Sequence, residues 1–100
     1  MYTFGEYIRS LRLGRKLLLR EVAASLHIDP SLLSRIERGL KRPTRDQVVQ
    51  LGSILKANQN ELLIQYLSDR VVYELKDEKL AMRVVEVAEK KISYIRKRKD

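Results

Sequence analysis

The apolar residues of this chain recur at spacings of three and four positions along almost its whole length, which is the pattern of amphipathic helices. The first such set lies near the start: Phe4, Ile8 and Leu11. Thr3 can cap this segment, with Glu6 as the reciprocal acceptor three residues later. The spacing therefore predicts a first helix over residues 4–13 that stops at Gly14.

Two short helices joined by a tight turn follow, predicted over residues 18–26 and 30–38. Asp29 can cap the second helix, because its carboxylate accepts from unpaired amides, and Pro30 suits the first helical position, where no N–H is needed. We expect Gly39 to end this helix in the left-handed conformation. The buried faces are predicted to comprise Val22, Ala23 and Leu26 on one helix and Leu33 and Ile36 on the other.

Two further helices are predicted after Pro43, which prevents the preceding helix from resuming. Thr44 starts the fourth helix with the capping-box spacing, and Asn58 starts the fifth. The fifth helix can continue as far as Leu75, where a polar break follows. The inner faces are Val48, Leu51, Gly52 and Leu55 in the fourth helix and Leu62, Leu63 and Tyr66 in the fifth.

A sixth helix, predicted over residues 78–99, carries a continuous apolar stripe with alternating steps of four and three. The stripe consists of Ala81, Val85, Ala88, Ile92 and Ile95, broadened by Leu80, Val84 and Val87. A helix of about 20 residues with so wide an apolar face is not stable alone in water. We therefore expect it to fold back on the first five helices or to pair with a second copy. No stretch alternates convincingly as a strand, so the sequence predicts an all-α fold.

The size and charge of the chain limit the classes of function that it can have. Its 100 residues suffice for one domain with a modest core, but not for a deep catalytic cleft as well. The 21 Lys and Arg outnumber the 13 Asp and Glu, and this net charge of +8 indicates a polyanionic partner, which DNA, RNA and acidic membranes all satisfy. The chain has no cysteine, and its opening residues lack the pattern of a signal peptide. With no apolar run long enough to span a bilayer, we expect a cytoplasmic protein without a membrane partner.

An ordered set of residues runs through the first four predicted helices: Ile8, Leu11, Arg12, Leu17, Glu21-Val22-Ala23, the run from Ser34 to Gly39, Pro43, Leu51 and Leu55. In order and spacing this set resembles the Cro/CI repressor (Xre-type) helix-turn-helix family, over about residues 4–66. The resemblance implies a five-helix lambda-repressor-like domain over residues 1–67. Such a domain binds double-stranded DNA as a transcriptional regulator, usually as a homodimer on a palindromic operator.

Residues 68–100 are expected to form a C-terminal amphipathic extension that builds or braces this homodimer. The predicted dimerisation residues are Ala81, Val85, Ala88, Ile92 and Ile95. An alternative class stays open, in which the protein is an antitoxin-like interaction protein whose terminal helix binds another protein. The basic run from Arg96 to Lys99, with Lys90 and Lys91 before it, is interpreted as a frayed terminus, with an additional DNA-binding arm or an RNA contact as the alternatives.

Two positions depart from the family pattern. Leu18 and Leu19 occupy the start of the second helix, where family members often carry a glutamine that reaches a phosphate. The backbone amides of residues 19 and 20 can still point at a phosphate, and Arg20 can substitute for the missing side chain. His27 stands where the family usually has glycine in the turn, which predicts a histidine with positive φ.

The second helix of the predicted pair is expected to present its N-terminal residues to base edges in the major groove. The candidates for base reading are Ser31, Leu32 and Arg35, which are spaced to face outward from Leu33 and Ile36. Arg35 can fork onto the O6 and N7 atoms of guanine, or it can contact a phosphate only, while Leu32 can cover a thymine methyl group. The candidates for phosphate contact are Arg20, Arg38, Lys41, Arg42 and Arg45.

Arg12 and Glu37 resemble the buried ion pair of the family, which links the first helix to the end of the third. An enzyme is not expected, because the single histidine lies in the turn and the chain has neither a glycine-rich phosphate loop nor a metal-ligand spacing. For the same reason we expect no cofactor and no metal, and neither a ligand pocket nor a small-molecule effector is evident from the sequence.

Overall fold

A computed structural model describes residues 3–98. Over these residues the chain forms six helices and no strand: α1 Phe4–Gly14, α2 Leu19–Leu26, α3 Pro30–Glu37, α4 Arg45–Ile54, α5 Gln59–Leu75 and α6 Ala81–Arg98. The predicted all-α class is confirmed. None of these helices combines the length and the hydropathy needed to cross a membrane.

The helices begin where the capping residues predict. The Thr3 hydroxyl accepts from the Glu6 amide at 3.1 Å and the Glu6 carboxylate accepts from the Thr3 amide at 3.3 Å, which completes a capping box on α1. Thr44 forms the same box on α4. The Asn58 side chain accepts from the Glu61 amide at 2.9 Å, just ahead of α5. Side-chain oxygens thus replace the missing hydrogen-bond partners of the first turns.

The helix ends differ from the prediction at one glycine. Gly14 was expected to stop α1, but it is the last residue of the helix, and the left-handed residue is Lys16. The Leu17 amide donates to the Arg12 carbonyl at 3.1 Å and the Lys16 amide to the Leu13 carbonyl at 3.0 Å, the paired bonds of a Schellman ending. The same ending recurs with positive φ at His27 (58°), Gly39 (76°) and Lys56 (51°). Hydrogen bonding therefore places lysine and histidine in a conformation that glycine adopts most easily.

The hydrophobic core lies between α1 and the first turn of α5. Its buried members are Phe4, Ile8, Val22, Ala23, Leu26, Leu33, Ile36, Val48, Leu51, Leu55 and Leu62. They include all the predicted inner-face residues of α2 and α3. Leu11, Leu32 and Tyr66 pack against this core and are half-buried.

The structure divides into two compact units between Arg70 and Val71, within α5. The N-terminal unit is described from Thr3 to Arg70 and the C-terminal unit from Val71 to Arg98. In the C-terminal unit, α6 begins at Ala81, three residues later than the predicted start at Glu78, and residues 79–80 form a turn ahead of it. No described residue of α6 is buried. The predicted last helical residue, Lys99, lies outside the described residues.

Candidate nucleic-acid interface

The helix pair α2 and α3 is joined by a turn of three residues, His27 to Asp29. His27 has φ 58°, as its position in the turn predicts, and the Ile28 amide donates to the Ala23 carbonyl at 3.0 Å. At the start of α2, the Glu21 carboxylate accepts from the Leu18 amide at 2.7 Å. The turn joins α3 to α2 without a glycine, because the amides of His27 and Ile28 donate to carbonyls in the last turns of α2.

The carboxylate of Asp29 caps the start of α3. The Asp29 Oδ1 atom accepts from the Ser31 amide at 2.8 Å and from the Ser31 hydroxyl at 2.6 Å. The Ser31 hydroxyl is the main reason that the pKa of Asp29 lies below its usual value, and Arg35 contributes through its charge. Since the hydroxyl proton of Ser31 points at Asp29, its oxygen is left to act as an acceptor toward a ligand.

The two faces of α3 differ in burial. Leu33 and Ile36 are buried, at 0% and 2% exposure, whereas Ser31 and Arg35 are exposed. Leu32 was predicted to face outward, but it is half-buried and packs against the core. The exposed face therefore presents one cation and one hydroxyl oxygen, with part of the Leu32 side chain accessible beside them.

An ion pair between Arg12 and Glu37 joins α1 to the last residue of α3. The Arg12 Nε atom donates to Glu37 Oε2 at 2.7 Å, Nη2 donates to Oε1 at 3.0 Å, and Nη1 donates to the Leu17 carbonyl at 3.0 Å. The hydrogen bond to Glu37 raises the pKa of Arg12, which stays charged. Both residues are buried, and Glu37 is the counter-charge of Arg12 in the core. The exposed Arg9 side chain also approaches Glu37, with 4.0 Å between Arg9 Nε and Glu37 Oε1.

Gly5 brings the backbones of α1 and α3 into close contact. A Cβ atom at this position would lie 2.5 Å from the Glu37 carbonyl oxygen, and closer still to that of Ile36. Only glycine fits there, because the atoms it meets belong to a helix backbone that cannot rotate away. Gly5 and the Arg12–Glu37 pair together hold α3 at a fixed distance from α1.

The predicted phosphate-binding residues are exposed in the N-terminal unit. Arg38, Lys41 and Arg42 belong to the segment between α3 and α4, Arg45 is the first residue of α4, and Arg20 is the second residue of α2. This segment, residues 38–44, is called the basic loop below. It is anchored at Pro43, which is buried and whose carbonyl accepts from the Tyr66 hydroxyl at 2.9 Å.

Tyr66 contacts two residues of the basic loop, Arg42 and Pro43, and the sequence did not predict these contacts. The guanidinium carbon of Arg42 lies 5.6 Å from the centre of the Tyr66 ring, a cation–π distance. The ring also packs edge-on against Phe4, with the ring centres 5.6 Å apart. Tyr66 was predicted only as part of the inner face of α5. No local sequence pattern connects it to Arg42, which lies 24 positions earlier in the chain.

In the C-terminal unit, the predicted dimerisation residues are largely accessible to solvent. Val85, Ile92 and Ile95 are 39%, 53% and 54% exposed. Ala88 is exposed and Ala81 is half-buried. Three of these residues line an open groove of about 280 Å³ between α6 and the end of α5, whose lining residues are Val71, Leu75, Val85, Ala88, Glu89, Ile92 and Ser93. The groove is almost entirely apolar, and it is open to solvent in the single chain.

Comparisons with known proteins agree with this geometry. The family model of the helix-turn-helix domain matches residues 3–63. A crystal structure of the clp gene regulator ClgR from C. glutamicum is similar, with a TM-score of 0.58 and 29% identity, covering 66% of this chain and 86% of that chain. A second crystal structure of ClgR from Corynebacterium glutamicum has a TM-score of 0.59 and 26% identity, covering 85% of this chain and 88% of that chain. No curated protein matches the chain.

The family match spans all of α1 to α4, including the turn and both helices of the pair. It confirms the resemblance to Cro/CI repressor (Xre-type) proteins that the residues of these helices indicate. The chain belongs to the helix-turn-helix family of DNA-binding transcriptional regulators.

Proposed function

We propose that this protein is a homodimeric repressor or controller of transcription that places α3 in the major groove of an inverted-repeat operator. The observation that carries the proposal is the exposed outer face of α3, which lies within the region of residues 3–63 that matches the helix-turn-helix family model. An α-helix fits the major groove, and its N-terminal residues contact base edges. In the similar solved structures the protein is a regulator of clp genes, which supports a role in transcription here.

Base reading is assigned to Arg35, Ser31 and Leu32. Arg35 donates two hydrogen bonds to guanine, one to O6 and one to N7. Such a contact favours guanine over the other bases by about 1–3 kcal/mol. Ser31 accepts from an exocyclic amino group, that of adenine or cytosine, because its own proton is directed to Asp29. The accessible part of Leu32 covers a thymine methyl group.

Phosphate contacts are assigned to the exposed cations around α3: Arg20, Arg38, Lys41, Arg42 and Arg45. All five residues belong to the same unit as α3. If each domain neutralises about four to six phosphates, log affinity falls with log salt concentration at a slope of about four to five per domain. A nearly flat salt response would contradict this assignment.

Dimerisation is assigned to α6 through Ala81, Val85, Ala88, Ile92 and Ile95. The exposed apolar stripe and the open groove beside it support this assignment, since a second copy would bury both. We expect such a homodimer to bind an inverted repeat whose half-sites lie about one turn of DNA apart, roughly 34–36 Å.

A second candidate function rests on the same groove. An antitoxin-like protein would use the apolar face of α6 to bind a different protein, and a large exposed apolar surface also suits that role. Purification with one stoichiometric protein partner, together with the absence of a DNA mobility shift, would favour this alternative over the regulator.

The experiment that tests the proposed function is selection of binding sites from random duplexes with the purified protein and with Arg35→Ala. The wild type is expected to enrich an inverted repeat that contains a guanine in each half-site. Arg35→Ala is expected to lose the preference at that guanine by about 1–3 kcal/mol while still binding DNA. No enrichment of any sequence by folded protein would refute the proposal.

A further inference from the structure

The basic loop and α5 meet at one aromatic ring. The Arg42 guanidinium lies over the ring of Tyr66, with 5.6 Å between its carbon and the ring centre. Arg42 is exposed, and Tyr66 is half-buried. The contact therefore joins a long, rotamer-rich side chain on the proposed DNA-facing loop to a residue that is packed into the unit.

Tyr66 is itself fixed by two further contacts. Its hydroxyl donates to the Pro43 carbonyl at 2.9 Å, and its ring packs edge-on against Phe4 at 5.6 Å between ring centres. One contact binds it to the loop residue next to Arg42, and the other binds it to the core through α1. The ring consequently holds a defined position relative to the loop backbone.

The chemistry of the guanidinium makes this contact compatible with phosphate binding. An arginine stacks on a ring through the flat face of its guanidinium, whereas it donates to phosphate oxygens through the N–H groups at its edge. We propose that Tyr66 is a positioning residue that holds Arg42 for contact with a DNA phosphate. This inference rests on the proposed function and adds to it a residue outside α3 and outside the basic loop.

Stacking has an energetic consequence for DNA binding. A free arginine side chain loses much of its rotamer freedom when it binds a phosphate. A guanidinium that already lies on a ring has lost part of that freedom before binding. An exposed cation–π contact is worth enough to change the affinity about two- to five-fold per domain.

A double-mutant cycle on the full chain tests the proposal, with affinity for the selected duplex as the readout. Arg42→Ala is expected to weaken binding and to reduce the salt slope by about one per domain. Tyr66→Leu alone is expected to weaken binding about two- to five-fold per domain, and to have no further effect when combined with Arg42→Ala. Tyr66→Phe keeps the ring and its contact with Phe4 but loses the hydroxyl bond to the Pro43 carbonyl, so it is expected to recover most of the affinity that Tyr66→Leu loses.

The C-terminal unit offers a matched control. Lys76 Nζ lies 5.3 Å from the centre of the Tyr73 ring, a cation–π pair in the other unit. Tyr73→Leu is expected to leave DNA affinity unchanged. If Tyr66→Leu costs the same affinity with and without the Arg42→Ala substitution, Tyr66 affects binding independently of Arg42, and the inference is overturned.

A measurement on the wild type keeps the test independent of how Tyr66→Leu folds. Ring-current shifts of the Arg42 side-chain NMR signals are expected in the free protein and are expected to persist when duplex is added. Loss of these shifts on DNA binding would show that Arg42 leaves the ring, and would overturn the inference. Because the cycle and the NMR experiment require a wild type that binds DNA, failure of the proposed function is seen separately, as the absence of any binding.

Discussion

The two units carry similar apolar spacings but bury them to very different degrees. In the N-terminal unit, Leu33 and Leu51 have no exposed surface, and the core extends from α1 to α5. In the C-terminal unit, Val85 and Ile92 occupy an equally regular stripe and remain 39% and 53% exposed. A helical spacing thus identifies which face is to be buried, but not which surface buries it. For α6 we propose that this surface is a second copy of the chain.

The ion pairs of the two units show the same contrast. The nitrogen–oxygen distance is 2.7 Å both in the Arg12–Glu37 pair and in the Arg83–Glu86 pair. The side chains of the first pair are 10% and 6% exposed, and those of the second are 63% and 59% exposed. Since solvent screens the exposed pair, equal distances correspond to very unequal contributions to stability.

The largest expected effect comes from placing charge on the apolar face of the C-terminal unit. Val85→Asp with Ile92→Asp is expected to give a folded monomer by analytical ultracentrifugation, because two carboxylates cannot be buried in a dimer interface. Affinity for the inverted repeat is expected to fall about 10²–10⁴-fold, since the two half-sites no longer bind as one unit. Lys90→Asp, outside the groove, is the control and should remain dimeric. A double variant that still sediments as a folded dimer would exclude α6 as the interface.

Removing one charge from each ion pair sharpens the contrast in stability. Glu37→Gln is expected to lower the free energy of unfolding by about 3–5 kcal/mol, because it leaves Arg12 buried without a counter-charge. Glu86→Gln is expected to change it by about 0.5 kcal/mol or less, because that pair is exposed. Thermal and urea unfolding of the two variants measure these changes in the free energy of unfolding. Similar losses in the two variants would contradict the difference in burial.

A smaller effect is expected from the close contact of α1 with α3. Gly5→Ala is expected to destabilise the protein by about 1–3 kcal/mol, since the new methyl group meets carbonyl oxygens of the α3 backbone. Gly14→Ala is the control, because nothing lies within 4 Å of its Cβ position and alanine favours the helix. Urea unfolding of both variants tests this packing. If Gly5→Ala is as stable as the wild type, α1 and α3 are not held at the distance described.

The smallest expected effect concerns the left-handed helix ends. Lys16→Gly and Lys56→Gly are each expected to stabilise the protein by about 0.5–1 kcal/mol, because glycine removes the strain of a positive φ and this gain exceeds its cost in chain entropy. Gly39→Ala is the reciprocal change and is expected to destabilise. Thermal unfolding compares the three, and a loss of stability in both lysine variants would contradict the description of these ends.

The starts of α1, α3 and α4 were predictable from the sequence because they depend on side-chain chemistry, whereas α6 begins three residues after its predicted start. Thr3, Asp29 and Thr44 each cap a helix with a side-chain oxygen at a fixed spacing. The ends were less predictable, since a Schellman ending is closed by backbone hydrogen bonds that any residue can form. A glycine therefore predicted the end correctly at Gly39 and wrongly at Gly14.

The candidate site shows the same division between local and distant features. The order and spacing of residues along α1 to α4 can be read from the sequence, and together they were enough to identify the family. The Arg12–Glu37 pair spans 25 positions and was expected only from the family resemblance, because no periodicity links the two residues. Tyr66 and Arg42 come together only when α5 folds beside the basic loop, so the sequence offered no signal for their contact.

The central claim is that the N-terminal unit recognises duplex DNA by sequence through the outer face of α3. Competition between the selected duplex and random duplex at modest ionic strength tests this most directly, with circular dichroism confirming that the protein is folded. The account predicts a preference for the selected duplex of about 10³-fold or more. Equal binding of the two duplexes by folded protein, or no binding to either, would contradict it.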